Sequence, residues 1–472
     1  MKQKITALLL AAAAIVPAAA QELRTSYFMQ TSDYRHEMNP ALLDHGYVSM
    51  PFILGNLNVG TTGNFGLSNF VYKMEPGWQG YGVDGRTYTT FMHPNVDADK
   101  FLGDLKKNNR VSLNLKYTLM SVGFRGMGGV NVIDLSLRSN SNVNLPKSLF
   151  AFAKEQKGNT EYDISNLGVR TENMMELALG HSHKINDKWT VGAKAKLLFG
   201  LAYADFSADN LSVNLSDDIW RLRGDVRMTA ALMGTKFKMS DKVDPDNSDR
   251  AEIDGIDDFN FGLGGMGLAF DLGATYKVMD NLTLSAAVTD LGFVSWKNAQ
   301  QASSRAEWTF DGFDNDIYVG DNENGEGDGN TIEDQFDALG DDLEDMFKVY
   351  DDGMKTDTRA LAATVNVGAE YALPMYDKLR FGFLYTSRIA GKYSWHQGML
   401  SANVRPVKWF EASLSGAVSS SGATAGLVLD FHARHFNFFV GADRFMSKLT
   451  EDFIPVNRVN SSVSLGFSFP LK

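Results

Sequence analysis

Cysteine is absent from this 472-residue chain. That excludes disulfides, thiolate metal sites, cysteine nucleophiles and a lipid anchor on a processed N-terminal cysteine. Proline is scarce, at 11 residues, against 44 Gly, 31 Phe and 16 Tyr, a balance that leans toward β-structure. Beyond the first twenty residues there is no run of about 18 apolar residues, so no transmembrane helix is expected. Basic stretches interleaved with aromatics are missing, which leaves nucleic-acid binding without support. The GxSxG and HExxH patterns are missing too, so no enzymatic activity is expected and no catalytic residue is nominated.

The N-terminus is the most specific local feature present. Lys2 and Lys4 precede an apolar run from Ile5 to Val16, and Ala18-Ala19-Ala20 follow. A charged head, a short apolar stretch and small residues at a cleavage site make residues 1–20 a secretory signal peptide, with the mature chain starting at Gln21. An exported protein without a membrane helix is either soluble or a barrel, because only helices and closed barrels satisfy every backbone group in lipid.

The net charge of −12 is unevenly spread. Between Glu307 and Asp357 stand 18 Asp or Glu against two Lys, and a smaller acidic block runs from Asp241 to Asp258. This pattern predicts acidic loops on an otherwise balanced body.

Period-2 alternation dominates the rest. From Trp189 to Tyr203 the odd positions are apolar or aromatic while Thr190, Gly192, Lys194 and Lys196 begin the other face. Val111 to Leu119, Leu361 to Tyr371 and Leu379 to Tyr385 repeat the pattern, and Val463, Leu465, Phe467 and Phe469 close the chain with it. Soluble strands average about 5–6 residues, whereas a tilted strand crossing a bilayer needs about 9–11. The longest runs here reach 15 residues.

The connections agree. Tight turns are read at Asn186-Asp187, Met279-Asp280-Asn281, Met375-Tyr376-Asp377, Arg405-Pro406-Val407 and Arg434-His435, and long loops at 139–171, 236–260, 297–356 and 446–457. Counted back from the last strand, every tight turn falls on one side and every long loop on the other, the asymmetry of outer-membrane barrels. The fold expected is an all-β transmembrane antiparallel barrel of about 14 (14–16) strands over residues 47–472, with residues 21–46 ahead of it. Two segments, Asp97 to Arg110 and Pro146 to Gln156, carry apolar residues at helical spacing and read as short loop helices.

The stretch FGLGGMGLAF, Phe261 to Phe270, has glycines at the GxGxxG spacing of dinucleotide-binding enzymes. No helix follows, because the period stays at 2 through Val278. The apolar phase is odd before the glycines and even after them, which predicts a β-bulge at Gly264, Gly265 and Gly267 that bends a barrel strand.

Asn322-x-Asn324-x-Glu326-Gly327, with Glu333 at the twelfth position, has the spacing of a calcium loop; the bland alternative is a solvated acidic loop. Otherwise no cofactor is expected. His181 and His183 share a strand face with Leu177, Leu179 and Ile185, and are assigned to the membrane interface rather than to a metal.

The segment RTSYFMQTSDYRHEMNPALLDHGYVSM, Arg24 to Met50, carries NPALL just ahead of the first strand. Together with AVTDLGFVSWK, Ala287 to Lys297, and the ending GADRF…NRVNSSVSLGFSF, it resembles the FadL-like family of outer-membrane fatty-acid transporters and the related PorV-like barrels of Gram-negative bacteria. The resemblance implies a barrel of about 14 strands whose N-terminal segment, residues 21–46, folds into the lumen as a hatch through Asn39, Pro40 and Ala41. It also implies a bent wall strand near Gly264–Gly267 that lets an apolar solute leave sideways. The partners implied are outer-membrane lipid and lipopolysaccharide, a hydrophobic small molecule or, for a PorV-like docking scaffold, a surface or secretion-system protein. NPALL lacks the Gly that often follows NPA in the transporters, and no basic residue matches a carboxylate clamp.

Overall fold

The computed structural model describes residues 22–50, 55–83, 87–155, 158–216, 220–232, 237–256, 262–310, 348–444 and 460–471. Fourteen antiparallel strands close a barrel. In chain order they are β1 (Tyr47–Ser49 and Asn56–Gly63), β2 (Asn108–Gly126), β3 (Gly129–Pro146), β4 (Leu167–Lys184), β5 (Trp189–Leu215), β6 (Trp220–Leu232 and Gly265–Met279) and β7 (Leu282–Phe310). There follow β8 (Tyr350–Ala360 and Ala363–Ala372), β9 (Leu379–Ile389), β10 (Trp395–Val407), β11 (Phe410–Ser419), β12 (Gly422–His432), β13 (Asn437–Ala442) and β14 (Ser461–Pro470). Both pieces of β1 pair with β2 on one side and β14 on the other, which closes the cylinder and leaves the sheet no edge.

Alternation sets which way each side chain points. Outward positions carry Leu197, Leu268, Phe270, Leu272, Phe381, Phe383, Leu400, Leu414 and Val418, all exposed. Inward positions carry Asn114, Lys116, Lys194, Lys196, Asn366, Gln397, Ser401, Glu411 and Asp430, all buried. Large apolar side chains outside and polar ones inside are the reverse of a soluble β-sandwich. The five tight turns lie at one end, where Trp189 packs on Tyr276 with ring centroids 4.6 Å apart and Trp409, Phe410, Phe431 and Phe436 add further rings. At the other end β5 and β7 run to 27 and 29 residues, far beyond the about 9–11 that a bilayer crossing needs.

Three expectations are corrected here. Tyr203 does not continue the outward face of Trp189 to Phe199. Leu201 is an extra residue against β4, where Asn173 pairs with Ala202 and Met174 with Gly200, so the phase flips and Tyr203 turns inward, fully buried. The outer loops at 139–171, 236–260 and 297–356 are partly strand: β3 reaches Pro146, β7 reaches Phe310, and Phe237–Asp244 pairs with Asn247–Ile256 as a hairpin. The glycine stretch holds no bulge in the described residues either. Pairing with β5 runs without a shift from Gly265 to Tyr276, and the shift against β7 lies between Phe270 and Leu272, where Asp290 adopts a φ of 61°. The change of phase instead marks the place where the strand begins. No helix follows; β6 runs on to Met279.

The two loop helices form, as Ala98–Asp104 and Lys147–Glu155. Asp97 caps the first by accepting from Lys100 N at 2.7 Å. At the long-loop end Phe101 and Phe150 meet Phe70 and Phe91 in an aromatic cluster that forms the core of a small outer lobe.

Candidate functional site: the filled lumen and the broken wall strand

Residues Leu23–Leu43 lie inside the barrel as three short 3₁₀ turns joined by irregular chain. Irregular backbone in such a place must find partners for its polar groups, and the wall supplies them. Asp443 accepts from the backbone N–H groups of Arg24 and Thr25, both at 2.8 Å. Glu411 accepts from Gln30 N at 3.1 Å, Thr31 N at 2.9 Å and Thr31 Oγ1 at 2.8 Å. Asn366 donates to the carbonyl of Met38 at 3.0 Å, and Asn437 to that of Thr31 at 2.9 Å. Glu37 accepts from Thr118 at 2.9 Å and pairs with Lys116 at 3.1 Å.

The sequence-nominated Asn39, Pro40 and Ala41 form the third turn. The Asn39 side chain accepts from Ala41 N at 3.0 Å, which caps the turn, and donates to the Tyr27 hydroxyl at 3.0 Å. Pro at the first helical position suits that geometry. This turn presses on the wall at Gly192 and Gly273, a cross-strand pair of β5 and β6. A Cβ on Gly192 would stand 2.3 Å from the carbonyl carbon of Pro40, and one on Gly273 would stand 2.0 Å from Asn39 Oδ1. Phe28 sits on Gly382 in the same way, and Thr25 on Gly426.

A belt of buried charge lies beside the segment. Lys196 Nζ is 2.7 Å from both Asp271 and Asp290; Arg138 reaches Asp290 and Glu176, each at 2.7 Å; Lys194 holds Asp134 at 2.7 Å. Asp134 also accepts from Ser121, whose hydroxyl meets the Tyr47 hydroxyl at 2.6 Å, and Tyr47 in turn meets His36 at 2.5 Å. Buried pairs of this kind add little net stability, but losing one partner strands a charge in a dry interior.

At the short-turn end His45 lies 2.5 Å from both Asp33 and Asp44, and Arg35 is 2.5 Å from Asp44. Burial opposes the charge on His45, but the two carboxylates outweigh it and raise its pKa to about 10.

One inward patch differs from all this. β6 is in two pieces: the upper piece ends with Leu232 paired to Ala202, and the lower piece starts with Gly265 between Gly200 and Trp296. Gly264 still donates to the Gly200 carbonyl at 2.8 Å and accepts from Lys297 N at 2.9 Å, so the ladder is held up to the break. Behind it Met174, Leu198, Tyr203, Ala231, Ala269, Val294, Trp296 and Ala299 form an apolar cluster. Trp296, 1% exposed, stacks on Tyr203 with centroids 5.1 Å apart and fills the space beside Gly200 and Gly265. Gly267 faces the β7 backbone, where a Cβ would stand 2.1 Å from the Phe293 carbonyl oxygen.

The structure thus brings the NPA turn and the glycine stretch to the same wall strand, and adds Trp296, Tyr203, Glu411 and Asp443, which the sequence reading did not nominate. His181 and His183 lie on β4 with ring centroids 5.8 Å apart, and His181 meets Asn131 at 2.9 Å. Among the described residues no group of three His, Asp or Glu converges on a metal position. Asn322, Asn324, Glu326 and Glu333, read as a calcium loop, and residues 1–20, read as a signal peptide, lie outside the described residues.

A family model described as a family of unknown function, DUF5723, matches residues 40–443. No protein of curated function matches the sequence. Among solved structures the chain is similar to the Ralstonia pickettii toluene transporter TbuX, with 9% identity, 97% of this chain and 95% of that one covered, and a TM-score of 0.41. It is also similar to a Pseudomonas aeruginosa FadL homologue, with 10% identity, 96% and 97% covered, and a TM-score of 0.40. For the Pseudomonas putida toluene transporter TodX the values are 9%, 92% and 92%, and 0.38.

Proposed function

The chain belongs to the DUF5723 family, whose function is unknown, and from that premise we propose an outer-membrane barrel that passes hydrophobic small molecules sideways through the break in β6. Export by the 1–20 signal peptide and an outward band of large apolar side chains with an aromatic girdle support the membrane placement. The short turns then face the periplasm and the outer lobe faces outward. Residues 21–46 act as the hatch that closes the straight route to water and ions.

The observation that carries the reading is the apolar cluster around Trp296. Unlike the apolar clusters that pack the N-terminal segment against the wall, it is made by wall residues alone, and it lies directly behind the interruption of a wall strand. A solute captured at the outer mouth is stopped by the hatch, displaces Trp296, and leaves between the two pieces of β6 into hydrocarbon.

The test is reconstitution in liposomes, with uptake of an apolar dye and of a small sugar followed in parallel. Faster dye transfer with no sugar leak supports the reading, whereas sugar leak without dye transfer points to a polar pore and sinks it.

A second reading, a docking scaffold for a surface or secretion-system protein, is favoured by the density of bonds that close the lumen, and by Tyr81, Val83, Tyr88 and Met92 standing exposed on the outer lobe. Native mass spectrometry of the purified barrel separates the two: bound lipid-sized mass for the transporter, a bound polypeptide for the scaffold.

A further inference from the structure

At the short-turn end, below the N-terminal segment, lies a cavity of about 770 Å³, within the roughly 300–1,000 Å³ common for small-molecule sites. Its walls have two characters. Leu42, Leu43 and Val130 give apolar lining, and Arg35, Arg125 and Lys184 bring three cations. A row of hydroxyls, with Thr190 and Thr275 opposite each other across the β5–β6 ladder, completes the lining.

Asp44 is the carboxylate in this lining, and Lys184 pairs with Asp187 at 2.8 Å. Asp44 is held by Arg35 at 2.5 Å and by His45 at 2.5 Å. Arg125 is exposed and has no side-chain partner among the described residues. Arg35 is 8% exposed, and its Nε is buried with no acceptor. The Arg35 guanidinium therefore has hydrogen-bonding capacity beyond its bond to Asp44 that the chain itself does not fill. A guanidinium edge beside hydroxyls and a second cation suits a planar or tetrahedral oxyanion.

We propose that this cavity binds an organic monoanion, a carboxylate or phosphate ester on a small apolar body, with the oxyanion between Arg35 and Arg125 and the apolar body against Leu42, Leu43 and Val130. The site does not depend on lateral transport: it lies at the opposite end of the segment from the β6 break and uses none of the Trp296 cluster.

The experiment is isothermal titration of the purified full-length barrel with benzoate, with phenyl phosphate, and with benzyl alcohol as the neutral control of like size. At least one anion is expected to bind saturably, about tenfold or more tighter than benzyl alcohol, and to weaken as salt is raised. Whichever anion binds tighter identifies the oxyanion. Arg125→Gln is expected to weaken it about 3-fold to 10-fold, and Arg35→Gln more. Because Arg35→Gln also removes the ion pair with Asp44, Arg125→Gln, at an exposed position with no side-chain partner among the described residues, keeps the test decisive. Benzyl alcohol binding as tightly as the anions, no saturable heat from either anion at about millimolar concentration, or unchanged affinity in Arg125→Gln overturns the proposal.

Discussion

The lumen has two regions built differently. Around residues 23–43 directional polar contacts accompany apolar packing: carboxylates on backbone N–H groups, amides on carbonyls, glycines hollowed to the shape of one turn, and Phe28 and Met38 clustered with Leu384 and Met399. Around Trp296 contact is mainly by shape and apolarity, with one stacked ring pair and small residues about it, and the Tyr203 hydroxyl donating to Asp205 at 3.2 Å on its rim. Hydrogen-bonded networks are all-or-nothing, because a half-satisfied network is worse than none. Packed apolar contacts give way gradually and reseal. The first kind of construction suits a closure that stays shut, and the second suits a place that opens and refills.

Deleting residues 22–43 should break the contrast most severely. The buried charge belt then faces water, and the barrel is expected to conduct ions in planar bilayers where the intact chain does not. Trp296→Ala comes next: removing a buried ring of this size costs about 3–5 kcal/mol, and apolar dye transfer should rise while ion conductance stays at its original level. Conductance appearing in that variant would show that the two regions are not separate closures.

Gly192→Ala drives a methyl toward the Pro40 backbone, with a strain of about 1–3 kcal/mol. It should expose Arg24 and Arg35 to trypsin and leave dye transfer unchanged. Glu411→Gln keeps the shape but weakens three charge-assisted bonds, worth about 1.5–3 kcal/mol each at most. The expected readout is faster hydrogen exchange at Gln30 and Thr31.

The smallest effect is that of pH. His45 has a folded pKa raised to about 10 from 6.5, so its contribution is complete below pH 6.5, declines above it, and is lost as pH passes 10. Protease protection of the segment should follow that fall, and His45→Gln should flatten it.

Much of the wall was legible in the sequence. Strand alternation over more than nine residues can be satisfied only by a long wall strand, and the alternation of short and long connections fixes direction. The two loop helices were legible from apolar spacing alone. The bulge at Gly264–Gly267 was misread because a one-residue change of phase arises either within a strand or where a strand begins, and periodicity cannot separate them. The extra residue at Leu201 escaped for the same reason: Tyr203 is aromatic, and suits either face. Asn39 to Ala41 were found by motif, but Glu411 and Asp443 were not. Their signal was there in outline, as acidic residues at inward positions of long strands, where an unpaired carboxylate is too costly to stand without a role. Lys194, Lys196, Asp271 and Asp290 carry the same mark.

The N-terminal segment takes its bonds from the far end of the chain: Glu411, Asn437, Asp443 and Ser468 lie on or beside β11, β13 and β14. β14 is also the strand that zips against β1. The first residues to emerge during synthesis therefore wait longest for their partners, and the interior cannot be stoppered until the cylinder is complete. A chain arrested before Ser461 would lack the strand that closes the cylinder and would leave its arginine-bearing N-terminal segment short of partners.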